Sequence, residues 1–131
     1  MGAKSSEALG VKREVIVYTY VSCDTCRRAT RWLREQQIEF VEKPIRETPP
    51  TRPELKRMLK FQDGQLTKLF NVAGRDYRDQ DLKTKLPRLS EDQALALLSG
   101  NGNLVKRPFL LGEKVGLVGF DEEAWGEAFS E

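Results

Sequence analysis

The chain of 131 residues contains no histidine. That absence removes Ser-His-Asp and Cys-His catalysis, imidazole proton transfer and the His-rich zinc and iron sites. Cysteine is nearly as scarce: there are two, too few for the disulfide scaffold of a small secreted protein. A structural zinc site takes about four Cys or His ligands, so no metal centre is expected within one chain; a site shared between two chains stays open. No apolar run approaches the roughly 20 residues of a membrane helix. The opening "MGAKSSEALGVKRE" has no apolar stretch of the secretory kind, so a cytoplasmic location is expected. Nor is there an excess of one charge: 22 Lys and Arg stand against 20 Asp and Glu, a net +2. The two signs are interspersed, which argues against direct nucleic-acid binding. Gly-rich dinucleotide and phosphate loops are missing too. Chemistry here must run on thiols, carboxylates, arginines and backbone amides.

What is present describes an α/β protein. Hydrophobic residues make up 39% and charged residues 32%, and the length suits one domain with its own core. The opening "MGAKSS" lacks apolar residues to pack, and residues 1–13 are expected to be a disordered tail, with a single domain over 14–131. "EVIVYTY" (14–20) reads as a strand. From Thr25 to Gln37 helix formers take over, with Cys26, Ala29, Leu33 and Gln37 on one side. "IEFVEKPI" (38–45) reads as a second strand, which completes a βαβ unit with a parallel pair. Thr51 with Glu54 and Ser90 with Gln93 are capping boxes, opening helices over 52–62 and "EDQALALLS". Short helical pieces are expected around "LTKLFN" and "RDYRDQDLKTKL", with a turn at Gly74. "LVKRPFLL" and "KVGLVGF" read as a hairpin, and Asp121 caps a last helix. Trp32 and Trp125 fall on helices and are expected in or beside the core.

Cys23 and Cys26 lie where the first strand gives way to the helix. A thiol at a helix start faces unpaired N–H groups and the positive end of the helix dipole, both of which favour thiolate. Cys26, one turn in, is expected to be the more buried. Such a pair suits a two-step exchange in which the outer thiolate attacks and the inner thiol resolves. Arg27 and Arg28 add positive charge nearby, partly opposed by Asp24. The plainer reading is a core residue at Cys26 beside an incidental surface thiol.

"VKRPF" (105–109) places a proline inside an apolar strand-like run. Proline is tolerated there at an edge, a start or a bulge, and an X–Pro bond can be cis. Arg107 would then aim its forked donors at an anion or at the thiolate. An edge proline beside a solvated arginine is the other reading.

Together, strand–"SCDTCRRA"–helix, "ETPPTRPEL", "LFNVAGRDYR", "LVKRPFLL" and "VGLVGF" resemble the arsenate reductase (ArsC)/Spx family over roughly residues 14–129. The resemblance implies a thioredoxin-like fold: a four-stranded mixed sheet, a helical insertion after the second strand, and a cis Pro108. It implies Cys23 as nucleophile, Cys26 as resolving thiol, Arg107 as anion or thiolate stabiliser, and Arg27, Arg107 and Pro108 around a bound anion. Arsenate reductases hold their oxyanion with further arginines; Thr67 or Lys68 and Gly119 stand at those places here, so tight arsenate binding is not expected. The implied activity is thiol–disulfide exchange without a bound cofactor or metal. Glutathione with glutaredoxin, or thioredoxin, would be the electron donor, and glutathione or thiol proteins the partners. The alternative is an Spx-like redox-sensing regulator that binds the C-terminal domain of the RNA polymerase α subunit, with Gly64 at the contact.

Overall fold

A computed structural model describes residues 15–130; the tail expected over 1–13 lies outside the described residues. The chain begins with β1 (Ile16–Thr19), followed by α1 (Asp24–Glu35) and β2 (Val41–Pro44). An insertion of short helices follows: α2 (Arg52–Phe61), α3 (Arg75–Asp79), α4 (Leu82–Lys85) and α5 (Glu91–Gly100), interleaved with three 3₁₀ turns. The hairpin β3 (Phe109–Leu111) and β4 (Gly116–Val118) and the helix α6 (Glu122–Phe129) complete the fold. The sheet order is β2-β1-β3-β4. β1 runs parallel to β2 and antiparallel to β3, so the sheet is mixed, as expected.

Alternation along the central strands splits the interior into two cores. Val17 and Leu110 face a layer built by α1 and α6, with Ala29, Leu33, Trp32 and Trp125. Tyr18, Phe109 and Leu111 face the insertion, with Leu55, Met58, Phe70, Leu95 and Leu98. The period of two in a strand is what sends neighbours to opposite faces. The indole N–H of Trp125 donates to the Gly119 carbonyl at 3.0 Å, so its polar tip is satisfied within the core.

Local chemistry explains most element ends. Both capping boxes form: Thr51 with Glu54 opens α2, and Ser90 with Gln93 opens α5. Asp121 caps α6. Three expectations are corrected. Gln37 does not continue the α1 face, because it adopts a left-handed φ of 60°. The Gln37 and Ile38 N–H groups then turn back to Arg34 and Leu33, a Schellman closure without glycine. The second strand is therefore shorter than 38–45. In "LVKRPFLL" only Phe109–Leu111 joins the sheet. Upstream, Lys106 N–H donates to the Leu69 carbonyl and Leu104 accepts from Asn71 N–H, so that segment pairs with the insertion; Pro108 has no N–H to offer the ladder.

Candidate functional site

The site is built at the carboxyl end of β1, where the turn after Thr19 feeds α1. Cys23 is the N-cap residue of α1 in extended conformation, and its Sγ accepts the Cys26 N–H at 3.2 Å. Its own N–H donates to the Tyr20 carbonyl at 3.0 Å. Cys23 is half-buried, whereas Cys26 is 2% exposed. Burial pushes the Cys26 thiol up to about 12, helped by the bond to Cys23 and opposed by the Tyr20 backbone and the Arg107 charge. The two sulfurs thus divide into an accessible outer atom, held by a helix-terminal donor, and a protonated inner one. They are free thiols, one helical turn apart.

Arg107 approaches from the strand side. One terminal nitrogen, Nη2, donates to the carbonyls of Gly102 and Asn103 at 2.9 and 3.0 Å. Its Nε is buried without a partner among the described residues. Burial lowers its proton affinity and the charges of Cys23 and Cys26 oppose that lowering, which places the guanidinium in the field of both sulfurs; arginine stays cationic regardless. Pro108 follows in a cis peptide bond and is buried, and its carbonyl accepts from Gly119 N–H at 2.9 Å. Gly119 adopts a φ of +71°.

The loop that holds Arg107 follows α5 directly. Asn101 and Asn103 both donate to Asp76, at 3.0 and 3.4 Å. The Asn101 bond, foremost, holds that carboxyl below the usual carboxylate range. A Cβ on Gly102 would overlap the Ile45 carbonyl, so glycine lets this loop pack directly on the exit of β2.

That packing brings in two residues absent from the sequence expectations. The β1–β2 register continues past the strands through Ile45 N–H to the Thr19 carbonyl, at 2.8 Å. Tyr20 and Arg46 therefore emerge side by side. Arg46 Nη1 donates to the Tyr20 hydroxyl at 2.9 Å. The Arg46 and Arg107 guanidinium carbons lie 5.1 and 5.6 Å from the Tyr20 ring centre. The signal available beforehand was topological: sites gather at the carboxyl ends of parallel strands.

Arg27, by contrast, turns along its own helix. It donates to the Val21 carbonyl at 3.0 Å and pairs with Asp24 at 3.2 Å. Arg28 lies 4.0 Å from Asp24 and over the Phe120 ring. Gly64, with φ +77°, closes the Schellman turn after α2 through its bond to Leu59, and among the described residues no hydrogen bond joins it to the thiol site. Among those same residues no cluster of Cys, Asp and Glu could hold a metal ion, and no helix is long and apolar enough to cross a membrane.

Comparison with known proteins agrees with this arrangement. The model of the ArsC family matches residues 18–128. The uncharacterized protein YusI of Bacillus subtilis is 45% identical over 111 residues, covering 84% of this chain and 93% of that protein. The global transcriptional regulator Spx 2 of Bacillus cereus is 35% identical over 109 residues, 83% of this chain and 82% of that one. Among solved structures, a "possible arsenate reductase" from Streptococcus mutans superposes with a TM-score of 0.77 at 34% identity, over 85% of this chain and 96% of the other.

Proposed function

We propose, from the premise that this chain belongs to the ArsC family, that it is a thiol–disulfide redox protein with Cys23 as nucleophile and Cys26 as resolving thiol. The observation that carries the reading is the contact of the Cys26 N–H with Cys23 Sγ at 3.2 Å. It sets an accessible sulfur at a donor-rich helix start and its partner one turn inward. In the first step the Cys23 thiolate attacks one sulfur of a substrate disulfide. A Cys23–substrate disulfide forms and the other substrate thiolate leaves. Cys26 then loses its proton and attacks Cys23 Sγ, forming the Cys23–Cys26 disulfide and releasing the second thiolate. The substrate gains two electrons and the pair loses them; a thiol donor of the glutathione–glutaredoxin or thioredoxin class returns them. Arg107 stabilises the negative sulfur during attack, and Pro108 shapes the strand end beside it. The high proton affinity of Cys26 delays its attack until Cys23 has become neutral in the mixed disulfide.

The test is a comparison of single-cysteine variants on a glutathione mixed disulfide. Cys23→Ser abolishes turnover, and Cys26→Ser accumulates the mixed disulfide, seen as a mass increase of the protein. An unchanged steady-state rate in Cys26→Ser overturns the resolving role.

The similarity to Spx 2 favours a second reading: the same pair senses oxidation in a cytoplasmic regulator that binds the C-terminal domain of the RNA polymerase α subunit, with the exposed Gly64 turn at the contact. Pull-down with that domain, reduced against oxidised, decides it. Redox-dependent capture supports the regulator; no complex at tens of micromolar, a range that covers weak signalling contacts, removes it.

A further inference from the structure

We propose that the outer edge of β2 pairs with β2 of a second copy of this chain, joining the two sheets across a twofold axis. Of the sheet's two edges, this is the one left open. At the other, Gln62 at the end of α2 donates to the Gly116 carbonyl at 3.1 Å, and the Phe61 ring packs against Gly116. At β2, the N–H groups of Val41 and Ile45 donate inward, to Val15 and Thr19. Strand alternation turns the N–H and carbonyl groups of Phe40 and Glu42 outward, and no further strand lies beyond β2 among the described residues. Exposed edge groups of this kind are a template for another strand. Both ends of the template are closed. Ile38 N–H goes to the Leu33 carbonyl, and the Pro44 carbonyl accepts the Thr48 N–H. The pairing is therefore limited to residues 39–43.

Charge selects both the occupant and the register. With Val41 on the twofold axis, antiparallel pairing sets Phe40 opposite the partner's Glu42, and both strands satisfy their outward backbone groups. Glu39 then faces the partner's Lys43, and Lys43 faces the partner's Glu39, as directly opposed cross-strand pairs. An axis at Glu42 would set that carboxylate against its own copy, and an axis at Phe40 would leave Glu39 opposite an apolar Val41. On the other face of the strand, the Arg34 guanidinium carbon lies 5.6 Å from the Phe40 ring centre. It borders an open groove lined by Arg34, Ile38, Glu39, Phe40 and Glu42. The partner's Glu42, set opposite Phe40, enters that groove beside Arg34. Glu42 Oε2 accepts the Thr19 hydroxyl at 2.6 Å, which leaves Oε1 for the guanidinium. Among the described residues, none of Arg34, Glu39, Glu42 and Lys43 has an ion pair within the chain. The twofold contact supplies one to each. Val41, 46% exposed in the single chain, is covered by its own copy at the centre. The same patch serves both subunits, so the assembly closes as a dimer.

The experiment is sedimentation equilibrium of the full chain, kept reduced with a phosphine so that no intermolecular disulfide contributes. A pairing this short buries less than about 1,200 Å² and belongs to the weak class of interfaces. The titration therefore runs at low salt from about 10 µM to about 1 mM, the range of weak association. A monomer–dimer equilibrium is expected, and added salt should weaken it. Val41→Lys, which brings two cations together on the axis, should abolish it. Glu39→Lys and Lys43→Glu should each weaken self-association about tenfold, since two screened contacts change sign in one dimer. Mixing these two variants makes every 39–43 pair opposite in charge again, so the mixture should associate more tightly than either variant alone. A chain that stays monomeric across the whole range overturns the proposal. So does a dimer that Val41→Lys leaves intact, and so does a mixture no more associated than its separate components.

Discussion

At the scale of single residues, the two thiols are chemically distinct although they sit three positions apart, and burial makes the difference. Cys26 keeps its proton up to about pH 12 instead of the ordinary 9.0. The unfolded chain would release that proton near its ordinary value. Between about 9 and 12 the unfolded state therefore binds fewer protons than the native state, and stability falls as pH rises. The contribution is fully present below pH 9. Tyr18, pushed above its ordinary 10.0 by burial and by its bond to Glu54, acts in the same direction at higher pH. Urea midpoints of the reduced protein should thus decline above about pH 9, and Cys26→Ala should remove the earlier part of that decline. The pair itself was legible in the sequence because spacing and strand-to-helix position are local facts. Arg46 and Tyr20 were not: they lie 26 residues apart, and only the parallel register of β1 with β2 makes them neighbours. Arg27 lies along its own helix, paired with Asp24 at 3.2 Å, the local opposition that the sequence already showed.

At the scale of elements, helix starts were readable and helix ends were not. The N-terminal boxes use side chains of the same turn, so Thr51–Glu54 and Ser90–Gln93 form as their spacing implies. The closures after α1 and α2 place Gln37 and Asp63 in left-handed conformation, where a sequence reader expects glycine. The third strand shortened because the insertion took the hydrogen bonds of residues 104–106, a competition invisible in strand propensity. The two boxes also differ in what they hold. Glu54 Oε1 accepts the Thr51 N–H at 2.9 Å and the buried Tyr18 hydroxyl at 2.7 Å. It therefore ties the start of α2 to the central strand. Ser90→Ala should cost about 1 kcal/mol, the usual value of a cap. Glu54→Ala should cost more, by about 1–3 kcal/mol, because it also orphans a buried hydroxyl. Adding Tyr18→Phe removes that hydroxyl and should recover part of the loss, so a double-mutant cycle in urea reads the Tyr18–Glu54 coupling directly. Strict additivity would show that the bond carries no weight in solution.

At the scale of the whole molecule, the element order was readable because a βαβ unit, capped helices and a hairpin leave few ways to cover a mixed sheet. What the order does not convey is that the sheet separates two cores, with the residues of β1, β3 and β4 divided between them. Val17 belongs to one and Tyr18 to the other; Leu110 likewise stands between Phe109 and Leu111. Each strand residue anchors one layer while its neighbours anchor the opposite one, so neither layer can melt without exposing part of the sheet that supports the other. Both tryptophans lie in the α1–α6 layer, edge to face with ring centres 6.1 Å apart, whereas the insertion carries α2 and α5, a large share of the helix content. Tryptophan fluorescence therefore reports one layer, and far-UV circular dichroism draws heavily on the other. The interleaved strands predict a single cooperative transition, with the two signals superimposable across a urea titration. Leu98→Ala, a truncation in the core facing the insertion, should shift both curves together by about 2–5 kcal/mol, although it lies across the sheet from either indole. Dichroism moving ahead of fluorescence would mean that the insertion unfolds as a separate unit, and that β1 and β3 do not couple the layers. The site sits at the end of those same strands. A coupled sheet would hold Cys23, Tyr20 and Arg107 in one geometry for as long as either layer is intact.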